Sequence, residues 1–365
     1  MKSVPKLSLP LIAYNSSRMT VTVRSFAKIN FGLYIGAARA DGFHDLRTVY
    51  QTIALHDVIR VSVGRGNGIE IRCTNNDARV PLNSSNTCYR IAELVLDHLR
   101  IKNKVSIEID KRLPVQGGLG AASSNAVSTM VGLERALKKR LALADRLRIA
   151  SEIGSDLPLF LVGGTTLGVG RGEEVYPLPD LPALPLVLVI PQVGVSTPLA
   201  FADWDALVEP GSMGKTIAPT ETSQRNEQPW LTHPGASDRL IAVSRLLSGW
   251  LTGSNFSGSP NTGAPAMGGS RAGNLLSDLV RTGIENDFEK VVFPQYPELR
   301  DIKGALESAG SRYASLSGSG STLYGLFRSA AEAAQGASRL RKQGLKAEAT
   351  RTLTRQKYWE RILDC

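Results

Sequence analysis

The order of elements along the 365-residue chain predicts an α+β protein of two domains. Three observations carry this. From Thr20 onward, stretches that alternate with period two are interleaved with stretches of helical spacing. The chain is longer than a single hydrophobic core usually serves. The patterned halves are separated by a compositional break between residues 209 and 273, where "GSNFSGSPNTGAPAMGGSRAG" is low in complexity.

Each element follows from local pattern. "VTVRSFAKINFGLYI" (21–35) and "VIRVSVG" (58–64) alternate and are rich in Val, Ile and Phe, which favours strand. "NTCYRIAELVLDHLRI" (86–101) has apolar residues at helical spacing, with Asn86 placed to cap it. "KVSIEIDKRL" returns to strand, a glycine-rich loop follows, and "NAVSTMVGLERALKK" reads as a second helix. "LADRLRIASEIG" is a third, ending at Gly154. "LPLVLVIP" (184–191) is a continuous apolar strand that would open the second domain. A short helix is expected at 237–251. "LRDIKGALESAG", the strand-turn-strand "SRYASLSGSGSTLYGLF", a helix and a strand near 345–351 complete the series. The expected boundaries are an arm at 1–18, a first domain at 19–183 and a second at 184–360, with an insertion at 209–273.

Composition narrows the functional classes. No apolar run approaches the roughly 18–20 residues that a membrane span needs. Three scattered cysteines, Cys73, Cys88 and Cys365, form neither a disulfide framework nor a metal-ligand cluster, which points to a reducing cytoplasm. The opening "MKSVPKLSLPLIAYNSSR" makes a poor signal peptide because two prolines interrupt its apolar patch. The net charge of +10 raises nucleic-acid binding. The basic residues sit on solvated helix faces without interleaved aromatics, which favours an anionic small molecule instead.

Five segments can carry chemistry, and each also has an ordinary structural reading. "LPVQGGLGAASSNA" (113–126) lies between a strand and a helix. There, glycine amides and the helix start can hold phosphate, or the loop can merely turn the chain. It lacks the lysine of the common phosphate loop; "MGKT" (213–216) has one but lacks that motif's first glycine, and is rejected. Asp156 in "GSDLPLF" is a turn residue or a general base. Lys28 is a solvent-facing strand residue or a buried cation that offsets developing charge. Phe43 and His44 in "ADGFHDL" are packing residues or a platform for a base. "SGSGST" (317–322) is a hairpin turn or part of a phosphate site.

In this order the segments resemble the GHMP kinase superfamily. The most specific match is "AKINFGLYIGAARADGFHDLRTVYQTIALHD", followed by "LPVQGGLGAASSNA", "IGSDLPLFLVGGTTLGVGRGE", "NDFE" and "SGSGST". The resemblance covers about 19–201 and 274–355. It implies a ribosomal-protein-like N-terminal domain and a ferredoxin-like C-terminal one. It implies ATP and Mg²⁺ as cofactors, and transfer of phosphate to the 2-hydroxyl of a cytidine-diphosphate-linked methylerythritol, a small-molecule step of the non-mevalonate isoprenoid route. Neither nucleic acid nor membrane is an expected partner, and the chain would be a monomer or homodimer. Carried over by position, Lys28 and Asp156 form the catalytic pair. Pro114, Val115, Gln116, Gly117, Gly118, Leu119, Gly120, Ala121, Ala122, Ser123 and Ser124 form the ATP loop. Asn30, Phe43, His44, Thr197 and Phe201 surround the substrate, with the two phenylalanines sandwiching cytosine. The metal ligands are not implied. Departures are Ala121 and Ala122 in place of loop glycines, Asn125 where Asp is frequent, and Phe43 in place of tyrosine. Alternatives are another kinase of the superfamily, acting on homoserine, mevalonate or a sugar, and a non-catalytic nucleotide or nucleic-acid binder.

Overall fold

The computed structural model describes residues 19–208 and 284–363. The expected arm at 1–18, the insertion at 209–273 and the helix at 237–251 lie outside them.

Two long strands, β1 (Thr20–Ala38) and β2 (His44–Gly64), make an antiparallel hairpin through the turn at 39–43. Lys28 pairs with Thr52 and Asn30 with Tyr50, so these four side chains share one face. The register shifts between Phe26 and Lys28 and again between Phe31 and Leu33. Such irregularities re-aim side chains beside a site. The other edge of β2 pairs with β4 (Lys104–Asp110) over its second half and β5 (Thr165–Val169) over its first. The parallel strand β3 (Gly68–Cys73) and the antiparallel β6 (Glu174–Pro177) complete a six-stranded sheet.

Helices α1 (Thr87–Leu99), α2 (Ala121–Leu137), α3 (Leu143–Ile153) and α4 (Leu157–Val162) cover one face of that sheet. Asn86 caps α1 by accepting from the Cys88 amide at 2.8 Å. The core beneath joins Ile59, Val61 and Ile107 to Ile91, Met130 and Phe160.

The second sheet has the order β10-β7-β9-β8, every neighbouring pair antiparallel. Its strands are β7 (Pro185–Val189), β8 (Tyr313–Leu316), β9 (Leu323–Leu326) and β10 (Ala347–Arg351). Helices α5 (Thr197–Val208), α6 (Glu289–Gln295), α7 (Pro297–Ser308) and α8 (Ala330–Lys342) pack on it. This is the ferredoxin-like split β-α-β arrangement. Val187 and Val189 face these helices, whereas Leu186 and Leu188 face the first sheet and meet Ile29 and Phe31. A strand buried on both faces reads as an unbroken apolar run, which explains "LPLVLVIP". The molecule is therefore layered helix, sheet, sheet, helix.

The last helix, α9 (Arg355–Ile362), belongs by contact to the first half, although its sequence position had placed it with the second. Tyr358 packs against Val23 and Phe26, and its hydroxyl donates to the Phe160 carbonyl at 2.7 Å. Trp359 Nε1 donates to the Val162 carbonyl at 3.0 Å. Helix α9 is eight residues long and cannot stabilise itself, so tertiary burial decides its place. No helix among the described residues is long and apolar enough to cross a membrane. Tyr358→Ala should lower the unfolding free energy by about 3–5 kcal/mol through the cavity it leaves. Urea denaturation followed by circular dichroism would measure this.

Candidate active site

The glycine loop crosses from β4 to α2. Gln116, Gly118 and Gly120 have φ of +57°, +73° and +66°. Glycine suits this left-handed region because it lacks a Cβ. Gly118 has a second reason: a Cβ there would collide with the Ser317 carbonyl oxygen. The loop is held against the turn between β8 and β9. Ser317 Oγ donates to the Gly118 carbonyl at 2.9 Å and the Thr322 amide donates to the Gly117 carbonyl at 3.3 Å. Among the described residues, no amide from Gly117 to Ser123 has a protein acceptor. Those donors stand at the positive end of a seventeen-residue helix, as anion binding requires.

Helix α2 starts at Ala121, four residues before the expected start at Asn125. Ala121 and Ala122, in place of loop glycines, are strong helix formers and extend the helix into the loop. One expected ligand is corrected. Ser124 is 1 % exposed, and its hydroxyl donates to the Phe26 carbonyl at 2.7 Å while accepting from Ser25 Oγ at 2.8 Å. Its amide closes the first helical turn onto Gly120. Ser124 therefore anchors the helix to β1, and Ser123 alone of the pair borders the cavity.

A cavity of about 940 Å³ joins the loop to the catalytic candidates. Lys28, 3 % exposed, donates to Asn30 Oδ1 at 2.7 Å and lies 3.6 Å from Asp156 Oδ2. Burial pulls the Lys28 ammonium below its ordinary pKa of 10.5, and the Asp156 carboxylate opposes that shift. Asp156 sits at the start of α4 without capping it by its side chain, so the ordinary turn-residue reading does not hold. Its Oδ1 accepts from the Tyr50 hydroxyl at 3.0 Å. Asn30 is fixed in turn: Nδ2 donates to Thr48 Oγ1 at 2.8 Å, and its backbone carbonyl accepts from the Tyr324 hydroxyl at 2.7 Å.

Phe43, His44, Thr197 and Phe201 also line the cavity. His44, and not Phe43, stacks on Phe201, at 5.1 Å between centroids and 12° between planes. Phe43 is half exposed, and the Arg171 guanidinium lies 4.9 Å from its ring centroid. Asp205 decides this, because its Oδ1 lies 2.6 Å from His44 Nε2 and locks the imidazole over Phe201. Thr197 shares a 2.6 Å hydrogen bond with Ser319 at the "SGSGST" turn.

Sequence reading missed four residues that build the site. Asp205 follows Phe201 by one helical turn, a spacing that would have flagged it. Asp57 is fully buried and accepts from Lys111 Nζ, the Arg112 and Leu113 amides and Asn125 Nδ2 at 2.7–2.9 Å. It fixes the strand end from which the loop departs, and gives Asn125 a structural role. Tyr50 and Lys111 had no linear signal. "NDFE" also proves structural: Asn286 Nδ2 donates to the Leu316 and Gly318 carbonyls, and Glu289 Oε1 accepts from the Leu316 amide.

Among the described residues, no three His, Cys, Asp or Glu side chains are grouped to hold a metal. The oxygen donors beside the loop, including the Ser123 hydroxyl, fit a magnesium ion held chiefly by phosphate oxygens. Gly118→Ala should weaken phosphate binding by about tenfold, the loss of one charge-assisted hydrogen bond, because the loop must retreat from Ser317. Calorimetric titration with a nucleoside triphosphate would read it.

The GHMP kinases N terminal domain family matches residues 86–164, and the GHMP kinases C terminal family matches 270–346. The chain is 34% identical to the 4-diphosphocytidyl-2-C-methyl-D-erythritol kinase of Heliobacterium modesticaldum over 93% of this chain and 98% of the relative. It is 33% identical to the enzyme of that name from Solibacter usitatus, over 84% and 81%. A crystal structure of 4-(cytidine 5'-diphospho)-2C-methyl-D-erythritol kinase superposes with a TM-score of 0.64 at 25% identity, covering 91% of this chain and 98% of that one. A homoserine kinase from Cytophaga hutchinsonii, at 19% identity and a TM-score of 0.65, shares the fold. With its buried lysine, its paired aspartate and its lysine-free glycine loop, the chain belongs to the 4-diphosphocytidyl-2-C-methyl-D-erythritol kinase family of GHMP kinases.

Proposed function

We propose that the chain transfers the γ-phosphoryl group of ATP to the 2-hydroxyl of 4-diphosphocytidyl-2-C-methyl-D-erythritol, a step of non-mevalonate isoprenoid precursor synthesis. The observation that carries this is the 3.6 Å pairing of Lys28 with Asp156 in a cavity continuous with the glycine loop. A non-catalytic binder would have no need to bury an ammonium beside a carboxylate there.

Asp156 takes the proton of the attacking hydroxyl. The alkoxide oxygen forms its bond to the γ-phosphorus as the bond to the β,γ-bridging oxygen breaks, and ADP leaves. Lys28, held by Asn30, offsets the negative charge that develops on the entering oxygen. The free amides from Gly117 to Ser123 and the Ser123 hydroxyl hold the triphosphate in line. Bound magnesium would neutralise phosphate charge and would be held from the protein side by Ser123. In the tautomer that carries its proton on Nε2, His44 donates to Asp205 Oδ1 and leaves Nδ1 as an acceptor. An acceptor there suits the exocyclic amine of cytosine and disfavours the carbonyl of uracil.

ADP release should require the cytidine-diphosphate substrate. Equal turnover with homoserine, mevalonate or the uridine analogue would replace this reading with another kinase of the superfamily. Asp156→Asn should lower kcat by about 10²–10⁴-fold, the usual range for a general base. The kcat profile should also fall at alkaline pH. The Lys28 ammonium is charged below its own pKa, and burial sets that pKa below 10.5. Activity is therefore present at lower pH and lost as pH rises through this depressed value, which kcat measured from pH 7 to 10.5 would locate.

A further inference from the structure

Tyr50 enters the site from β2, opposite Asn30 on one neighbouring strand and Thr166 on the other. Its ring is buried, at 3 % exposure, yet its hydroxyl reaches Asp156 Oδ1 at 3.0 Å. Lys28 lies 3.6 Å from the other oxygen, Oδ2. Each oxygen of the carboxylate thus has its own partner. The ring's place is shaped for it by two glycines of the β5–β6 hairpin. A Cβ on Gly168 would overlap ring carbon Cε2, and one on Gly172 would sit 2.6 Å from the hydroxyl. The Lys28 ammonium lies 5.6 Å from the ring centroid, within cation–π range.

Asp156 needs such a partner. It stands at the start of a six-residue helix, makes no capping bond with its side chain and is 34% exposed toward the cavity. A carboxylate so placed would sample several rotamers, and a base displaced by 1 Å can cost about 10²-fold in rate. We propose that Tyr50 is a positioning residue for phosphoryl transfer: it holds Oδ1 so that Oδ2, beside Lys28, faces the substrate hydroxyl. This rests on Asp156 being the base. The tyrosine suits the task because its hydroxyl remains a donor. Burial first, and then the negative charge of Asp156 with a smaller contribution from Glu173, raise its pKa well above 10.0.

The test uses the full chain and compares wild type, Tyr50→Phe and Asp156→Asn by steady-state ADP release, varying each substrate, alongside thermal midpoints. Tyr50→Phe should lower kcat by about ten- to a hundredfold, the loss of one hydrogen bond to a charged group, with each KM within about twofold of wild type. A kcat within about twofold of wild type overturns the proposal. So does a raised KM with kcat unchanged, or a lowered thermal midpoint as the only effect. Near-normal turnover by Asp156→Asn would overturn the base assignment itself. Normal turnover by Tyr50→Phe beside a crippled Asp156→Asn would overturn the role of Tyr50 alone.

Discussion

The site depends on one costly act, the burial of the Lys28 ammonium. An ammonium that is 3 % exposed has lost most of its hydration, and only partners of suitable geometry make its charge tolerable. Asn30 supplies an acceptor at 2.7 Å and Asp156 a counter-charge at 3.6 Å. Both partners are themselves fixed, Asn30 by Thr48 and Tyr324, Asp156 by Tyr50. The long β1–β2 hairpin exists, in functional terms, to place Lys28, Asn30, Thr48 and Tyr50 together, and its register shifts flank these residues.

A second constraint joins the halves of the molecule. The glycine loop of the first touches the Ser317–Thr322 turn of the second so closely that Gly118 has no room for a Cβ. That turn is held by Asn286 and Glu289, and the start of the loop by Asp57. The apolar layer of Ile29, Phe31, Leu186 and Leu188 between the two sheets leaves little freedom for one half to slide on the other. The amides that would meet phosphate are thus set by contacts on both sides of the cleft.

Much of this was legible. Alternation and helical spacing located β1, α1, α3, β7 and the β8–β9 hairpin to within a few residues, because each buries one face or both in the ordinary way. Helix α2 begins earlier than expected because Ala121 and Ala122 propagate it into the loop. The ordinary readings of Lys28 and Asp156, a solvent-facing lysine and a self-bonded turn residue, gave way because both side chains turn inward to partners far along the chain. Ser124 was misassigned since nothing in "ASSNA" tells which hydroxyl faces the cavity, a matter of helix phase against β1.

By itself the sequence determined the alternation of strand and helix, the compositional break at 209–273, and the glycine loop, the lysine segment and the aspartate segment as separate candidates. Those features are local: they depend on residue spacing, backbone freedom and the donors of a helix start. Only the tertiary structure decided that Tyr50 meets Asp156, that Asp57 anchors the loop, that His44 lies on Phe201, and that α9 packs on β1. Each of these joins residues from separate elements. Strand register and layer packing govern such meetings, and no short stretch of sequence encodes either.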